Sequence, residues 1–162
     1  MYKMSAEDHK NYMIEAIKMA EENIATSKGG PFGAVVVKDG KIIAACGNRV
    51  TSTNDPTAHA EIVAIRQACT ELGPFDLAGC EIYASCEPCP MCLGAIMWSR
   101  IDKLYFAADR LDASRAGFDD ELFYTELHLP ADKRLLKPTQ ILQDEANAVF
   151  DKWIEDGNKI LY

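Results

Sequence analysis

Apolar residues near the start of the chain recur at helical spacing. Met13, Ile17, Ala20 and Ile24 follow 4-3-4 intervals and predict a helix over residues 5–24. Ser5 and Asp8 have the spacing of a capping box, and Gly29-Gly30-Pro31 stops the helix. Two β-type runs follow, 34–37 and 42–45, separated by Asp39-Gly40, a two-residue hairpin signal. Residues 51–56 are polar and turn-like. Ile62, Ile65, Cys69 and Leu72 return to helical spacing, which predicts a second helix from about Ala58. Residues 81–84 predict a strand, and Pro90 suits the first turn of a helix running to about Ser99. Residues 101–107 predict another strand, and 109–120 a short helix ending near Gly117. The stretch 121–138 is charged, holds two prolines and predicts no element; 139–142 predicts a short strand and 145–155 a last helix. Strands alternating with helices predict an α/β fold with helices covering a mixed, five-stranded sheet. No linker or low-complexity segment divides residues 1–162, so a single domain is expected.

Composition narrows the function classes. Of 162 residues, 48% are hydrophobic and 26% charged, the mix of a globular protein rather than a disordered chain. Lys plus Arg is 17 against 25 Asp plus Glu, a net charge of −8, which repels phosphate backbones. Residues 1–12 carry no apolar core of a secretory signal, and no run approaches the ~18 apolar residues of a membrane span. A cytoplasmic location, away from membranes, is the expectation. In that reducing compartment clustered thiols point to metal binding or catalysis rather than disulfides. Three of the six cysteines (46, 69, 80, 86, 89 and 92) fall within seven residues.

His59-Ala60-Glu61 stands 30 residues before Cys89-Pro90-Met91-Cys92, which Pro88 precedes. Zinc takes imidazole nitrogen and thiolate sulfur, and a catalytic zinc keeps three protein ligands and an open position. His59, Cys89 and Cys92 supply three donors, and Glu61 a carboxylate able to move protons. The combined H-x-E and P-C-x-x-C spacing is a signature of zinc-dependent nucleobase deaminases. Each half falls at a predicted helix start, where free N–H groups and the helix dipole favour thiolate over thiol. Residues two apart do not share a face inside a regular helix, so His59 and Glu61 converge only in a first turn. Cys86 extends the motif to C-x-x-C-x-x-C. A ferredoxin-type cluster would want a further cysteine at 96, which is Ile. If Cys86 completed a closed structural zinc site, Glu61 would have no use there. Cys46, Cys69 and Cys80 are expected as small buried hydrophobes.

With Gly30-Pro31-Phe32-Gly33-Ala34, Asn48, Asp55-Pro56-Thr57-Ala58 and Ser85-Cys86-Glu87-Pro88, these residues resemble the purine-acting branch of the cytidine deaminase superfamily over about 13–162. Ala116-Gly117-Phe118-Asp119-Asp120 and the terminal Tyr162 make the chain most similar to that branch's bacterial guanine-acting members. The resemblance implies a three-layer α/β/α fold and zinc-dependent hydrolysis of guanine to xanthine and ammonia. It implies zinc on His59, Cys89 and Cys92, with Glu61 moving protons. Asn48, the Ala60 backbone and Asp120 would hold the base edge, and Phe32 would pack on its ring. It also implies a homodimer that exchanges residues 139–162, so that Tyr162 closes the partner's pocket. Three rival readings are a guanosine deaminase, a tRNA adenosine deaminase, and a zinc-stabilised interaction module closed by Cys86. Residues 131–162 hold five basic and six acidic residues, a poor surface for tracking RNA, so no nucleic-acid partner is expected.

Overall fold

The first helix begins as its sequence predicts. In the computed structural model, which describes residues 4–162, α1 runs Ala6–Thr26 behind a complete capping box: Asp8 N–H donates to Ser5 Oγ, and Ser5 N–H to the Asp8 carboxylate. The helix stops at Ser27, in the left-handed region at φ 53°. The face it buries is rotated from the expected stripe. Tyr12, Ala16, Ala20 and Asn23 point inward, whereas Ile17 and Ile24 are exposed. Small residues win because the helix lies so close to the sheet: a Cβ at Gly33 would stand 2.1 Å from the Ala16 carbonyl oxygen.

Strands β1 (Gly33–Lys38) and β2 (Lys41–Gly47) form an antiparallel hairpin. Its turn residues Asp39 and Gly40 both have positive φ, 50° and 75°, which matches the twist of the flanking strands. β1 also pairs antiparallel with β3 (Cys80–Cys86), and β3 pairs parallel with β4 (Lys103–Ala108). The sheet order is β2-β1-β3-β4. Alternation along β1 sends Val35 and Val37 to the α1 face, with Tyr12, Ala16 and Tyr83. Ala34 and Val36 face α3 (Ala60–Leu72) and α4 (Pro90–Trp98), among Ala64, Ala68, Ile82 and Ile96. The result is three layers, α/β/α. Each fully buried valine contributes about 1.5–3 kcal/mol.

The mixed sheet has four strands among the described residues, and the fifth is corrected. Residues 139–142 form no ladder: Ile141 and Leu142 are exposed, and Leu142 takes φ 53°, a left-handed conformation that no strand accepts. The predicted helix over 109–120 is α5 (Arg110–Arg115), capped by Asp109 and followed by Gly117 at φ 94°. Two helices lay outside the sequence expectation, a single turn α2 (Val50–Thr53) and α6 (Asp120–His128).

The chain divides into two compact units at Tyr124/Thr125. The second holds the end of α6, a 3-10 turn at Ala131–Lys133 and α7 (Gln143–Glu155). It exposes Leu135, Leu136, Val149, Phe150, Ile154 and Tyr162. Among the described residues no helix is long and apolar enough to cross a membrane.

Candidate active site

The topology gathers the chemistry at one edge. β2 and β3 both run antiparallel to β1, and β4 runs with β3, so β2, β3 and β4 end on the same side of the sheet. Ligands of α/β folds bind beyond such strand ends. Asn48 and His59 follow β2, Cys89 and Cys92 follow β3, and Asp120 follows β4. Phe32 stands just before β1, which starts at this edge.

His59 is the N-cap of α3, with extended backbone at φ −64° and ψ 157°. Glu61 lies in the first turn, so these two side chains converge although they are two residues apart. Cys89 is the N-cap of α4, with Pro90 at its first position and Cys92 in the same turn. The two helix starts bring His59 Nδ1 to 3.6 Å from Cys89 Sγ and 3.5 Å from Cys92 Sγ, and all three donor atoms lie within 4.8 Å of one another. One imidazole and two sulfurs at this spacing fit a zinc ion.

The electrostatics agree with that fit. Hydrogen bonds from Cys92 and His59 lower the Cys89 thiol to about 4. The bond to Cys89 and burial raise the Cys92 thiol. A cation against both sulfurs favours thiolate at each. The bond to Cys89 also raises His59. Glu61 is 7% exposed, and burial pushes its carboxyl up to about 6, a range in which it can both take and give a proton.

A pocket of about 280 Å3 opens beside these donors, and Phe32, Asn48, Glu61, Glu87, Phe118 and Asp120 are among the residues that line it. Phe32 and Phe118 meet edge to face, with ring centroids 4.7 Å apart. Asn48 Oδ1 accepts the backbone N–H groups of Gly30 (3.3 Å) and Val50 (3.1 Å), which leaves its amide N–H groups to offer. Asp120 is half-buried, and burial raises its carboxyl. Ala60 is fully buried at the first position of α3; its side chain does not line the pocket, and its backbone N–H belongs to a turn without intrahelical acceptors. Tyr162 lies in the second unit, where it is exposed.

Cys86 stays outside the donor group. Its Sγ lies 3.6 Å from the Asp109 carbonyl oxygen, in the wall of a separate cavity, and burial pushes its thiol up to about 12. The donor set is therefore three residues with a pocket beside it, the form of a catalytic rather than a closed structural site. Among the other cysteines Cys46 and Cys80 are buried and Cys69 is half-buried against the core, as small hydrophobes.

Sequence reasoning missed the residues that hold the pocket's walls. Asn23 of α1 is 2% exposed; its Nδ2 donates to the carbonyls of Gly30 (3.1 Å) and Asn48 (2.7 Å), and its Oδ1 accepts from Arg49 (2.8 Å). Gly47 was the available signal, because a Cβ there would stand 2.4 Å from Asn23 Oδ1. Glu87 and Arg110 were missed too: they pair at 3.3 Å beside the thiol loop.

The family model for the cytidine and deoxycytidylate deaminase zinc-binding region matches residues 6–108. A guanine deaminase of Bacillus subtilis is 48% identical over 155 residues, which cover 96% of this chain and 99% of that one. The X-ray structure of guanine deaminase from Bacillus subtilis superimposes with a TM-score of 0.91 at 47% identity, covering 98% and 99% of the two chains. A tRNA-specific adenosine deaminase of Aquifex aeolicus is 44% identical over 109 residues, 67% of this chain and 70% of that one. The donor triad His59, Cys89 and Cys92 lies inside the matched region, and by that match this chain belongs to the cytidine and deoxycytidylate deaminase family.

Proposed function

We propose that this chain is a zinc-dependent aminohydrolase that converts guanine and water to xanthine and ammonia. The observation that carries the reading is a three-donor metal site opening onto a pocket lined by both Glu61 and Asp120. The near end-to-end likeness to a guanine deaminase supports the choice of base.

His59, Cys89 and Cys92 would hold zinc, which would supply a polarised water at neutral pH. Glu61 accepts a proton from that water and delivers it to the ring nitrogen beside C2. It then carries the remaining hydroxyl proton to the amine, so the C2–N bond breaks after the C2–O bond has formed, and ammonia leaves. Asp120 accepts from N–H groups of the base, the Asn48 amide donates to its acceptors, and the Ala60 N–H adds a backbone donor. Phe32 packs on the ring. Asp120 discriminates, because a guanine edge offers N–H donors to its carboxylate and an adenine edge makes less use of such an acceptor.

The pocket lining holds Glu61, Glu87 and Asp120 and no lysine or arginine among the described residues. Such a pocket suits a neutral base and disfavours the phosphates of a tRNA. The relative specific for tRNA also matches a shorter part of the chain.

The working unit in this reading is a homodimer in the cytoplasm. The apolar residues exposed on and after α7, among them Phe150, Ile154 and Leu161, call for cover, and a second copy supplies it by exchange of residues 139–162. Tyr162 of the partner subunit then lids each pocket.

The test is ammonia release by zinc-loaded protein from guanine, guanosine, adenine and cytidine, with product identification. Turnover of guanine to xanthine is the expected result. Preference for guanosine, or tight and salt-sensitive tRNA binding with adenosine deamination, would replace the reading.

A further inference from the structure

Asp120, half-buried, stands at the start of a helix none of whose side chains is fully buried. A carboxylate that reads a base has to be held at a fixed place, and burial usually does the holding. For the first turn of α6, polar contacts take over that task. Glu121 Oε2 accepts from Arg110 Nε at 2.7 Å. The Arg110 guanidinium lies 4.9 Å from the Tyr124 ring centroid, and the Tyr124 hydroxyl donates to the Pro88 carbonyl at 2.7 Å.

The same arginine reaches the thiol-bearing loop. Arg110 Nη1 stands 3.3 Å from Glu87 Oε1, and the Arg110 backbone N–H donates to Glu87 Oε2 at 3.1 Å. Glu87 lies two residues before Cys89 and itself lines the pocket, whereas Arg110 does not. One planar guanidinium therefore joins the metal-binding loop to the turn that carries Asp120. Only arginine presents donors in both directions at once; a lysine ammonium, a point charge on a flexible stem, cannot replace that fork.

We infer that Arg110 is a positioning residue, whose clasp of Glu87 and Glu121 sets the place of Asp120 relative to the metal end of the pocket and so tightens binding of the base without touching it. The inference rests on the guanine deaminase reading for its substrate. Arg110 is 40% exposed and Glu121 44%, so the ion pairs add little to global stability. The effect is local, and it separates from a merely structural role: affinity changes while the melting temperature barely moves.

The experiment is a double-mutant cycle of Arg110→Gln and Asp120→Asn in zinc-loaded protein, read as kcat and KM for guanine. Amide hydrogen exchange over residues 118–124 is measured on wild type and Arg110→Gln alongside. Arg110→Gln is expected to raise KM about five- to tenfold with kcat within about twofold, and to add less than about twofold in the Asp120→Asn background. Exchange over 118–124 should quicken while 60–72 is unchanged, and Arg110→Lys should fall between wild type and glutamine. An equal KM factor in both backgrounds, or unchanged exchange over 118–124, overturns the inference. If the wild-type chain releases no ammonia from guanine, the activity reading falls, and the exchange comparison still decides whether Arg110 holds α6.

Discussion

His59 Nδ1 and Cys92 Sγ lie 3.5 Å apart, although 33 residues separate them in the chain. The contact exists because α3 and α4 pack side by side on one face of the sheet and both start at the edge where β2 and β3 end. Together with Cys89 they bring three donor atoms to one place, where a single ion can be shared.

Removing either donor should therefore cost metal. His59→Ala and Cys92→Ser are expected to lower zinc affinity by more than the roughly 10- to 100-fold that changes behind the ligands produce. Zinc per chain, measured by elemental analysis after dialysis, checks it together with activity. Full zinc occupancy in both variants would sink the donor assignment.

Glu61→Gln keeps the shape of the side chain and removes its ability to carry a proton. Zinc content should match wild type while kcat falls about 10²–10⁴-fold. A variant that stays active would remove the proton-shuttle role.

Cys86→Ala should retain both metal and turnover, because the Cys86 sulfur faces the Asp109 carbonyl in a different cavity. The expected cost is about 1–2 kcal/mol of stability for the lost buried sulfur. Urea unfolding gives the stability, and loss of zinc from this variant, with no deaminase activity from the wild type in any assay, would favour the closed structural site instead.

Gly33→Ala places a methyl group 2.1 Å from the Ala16 carbonyl oxygen, backbone against backbone. Helix α1 has to shift away from β1, at about 1–3 kcal/mol. A lowered midpoint in urea unfolding with unchanged slope is the expected outcome, and an unchanged midpoint would contradict the close contact of α1 and β1.

What could be read in advance was what local sequence decides. Ser5 with Asp8, Asp39 with Gly40, and the two helix starts at His59 and Cys89 each declare themselves within a few residues. Residues whose roles depend on distant partners did not declare themselves. Asn23 is one polar residue on an amphipathic helix until the chain folds Gly30, Asn48 and Arg49 around it. Arg110 acquires meaning only when Glu87 and Glu121 arrive on either side. The expected α1 stripe keeps Met13 and Ala20 but not Ile17 and Ile24, because alanine carries little hydrophobic signal while close approach to the sheet rewards it. The run 139–142 has strand composition but, among the described residues, no partner strand, and its last residue turns left-handed to enter α7. Helix α6 has no fully buried side chain, and the half-buried ones are Asp120, Glu121, Tyr124 and Glu126, so no core-facing apolar stripe marks it.

The edge shared by β2, β3 and β4 also separates two kinds of inheritance. The segments after β2 and β3 carry the donors and Glu61, and a change there touches the reaction itself. The segment after β4 brings Phe118 and Asp120 to the pocket and supplies no metal donor. In the proposed reading, changes at Phe118 and Asp120 therefore alter the preference for the base and leave the three metal donors in place.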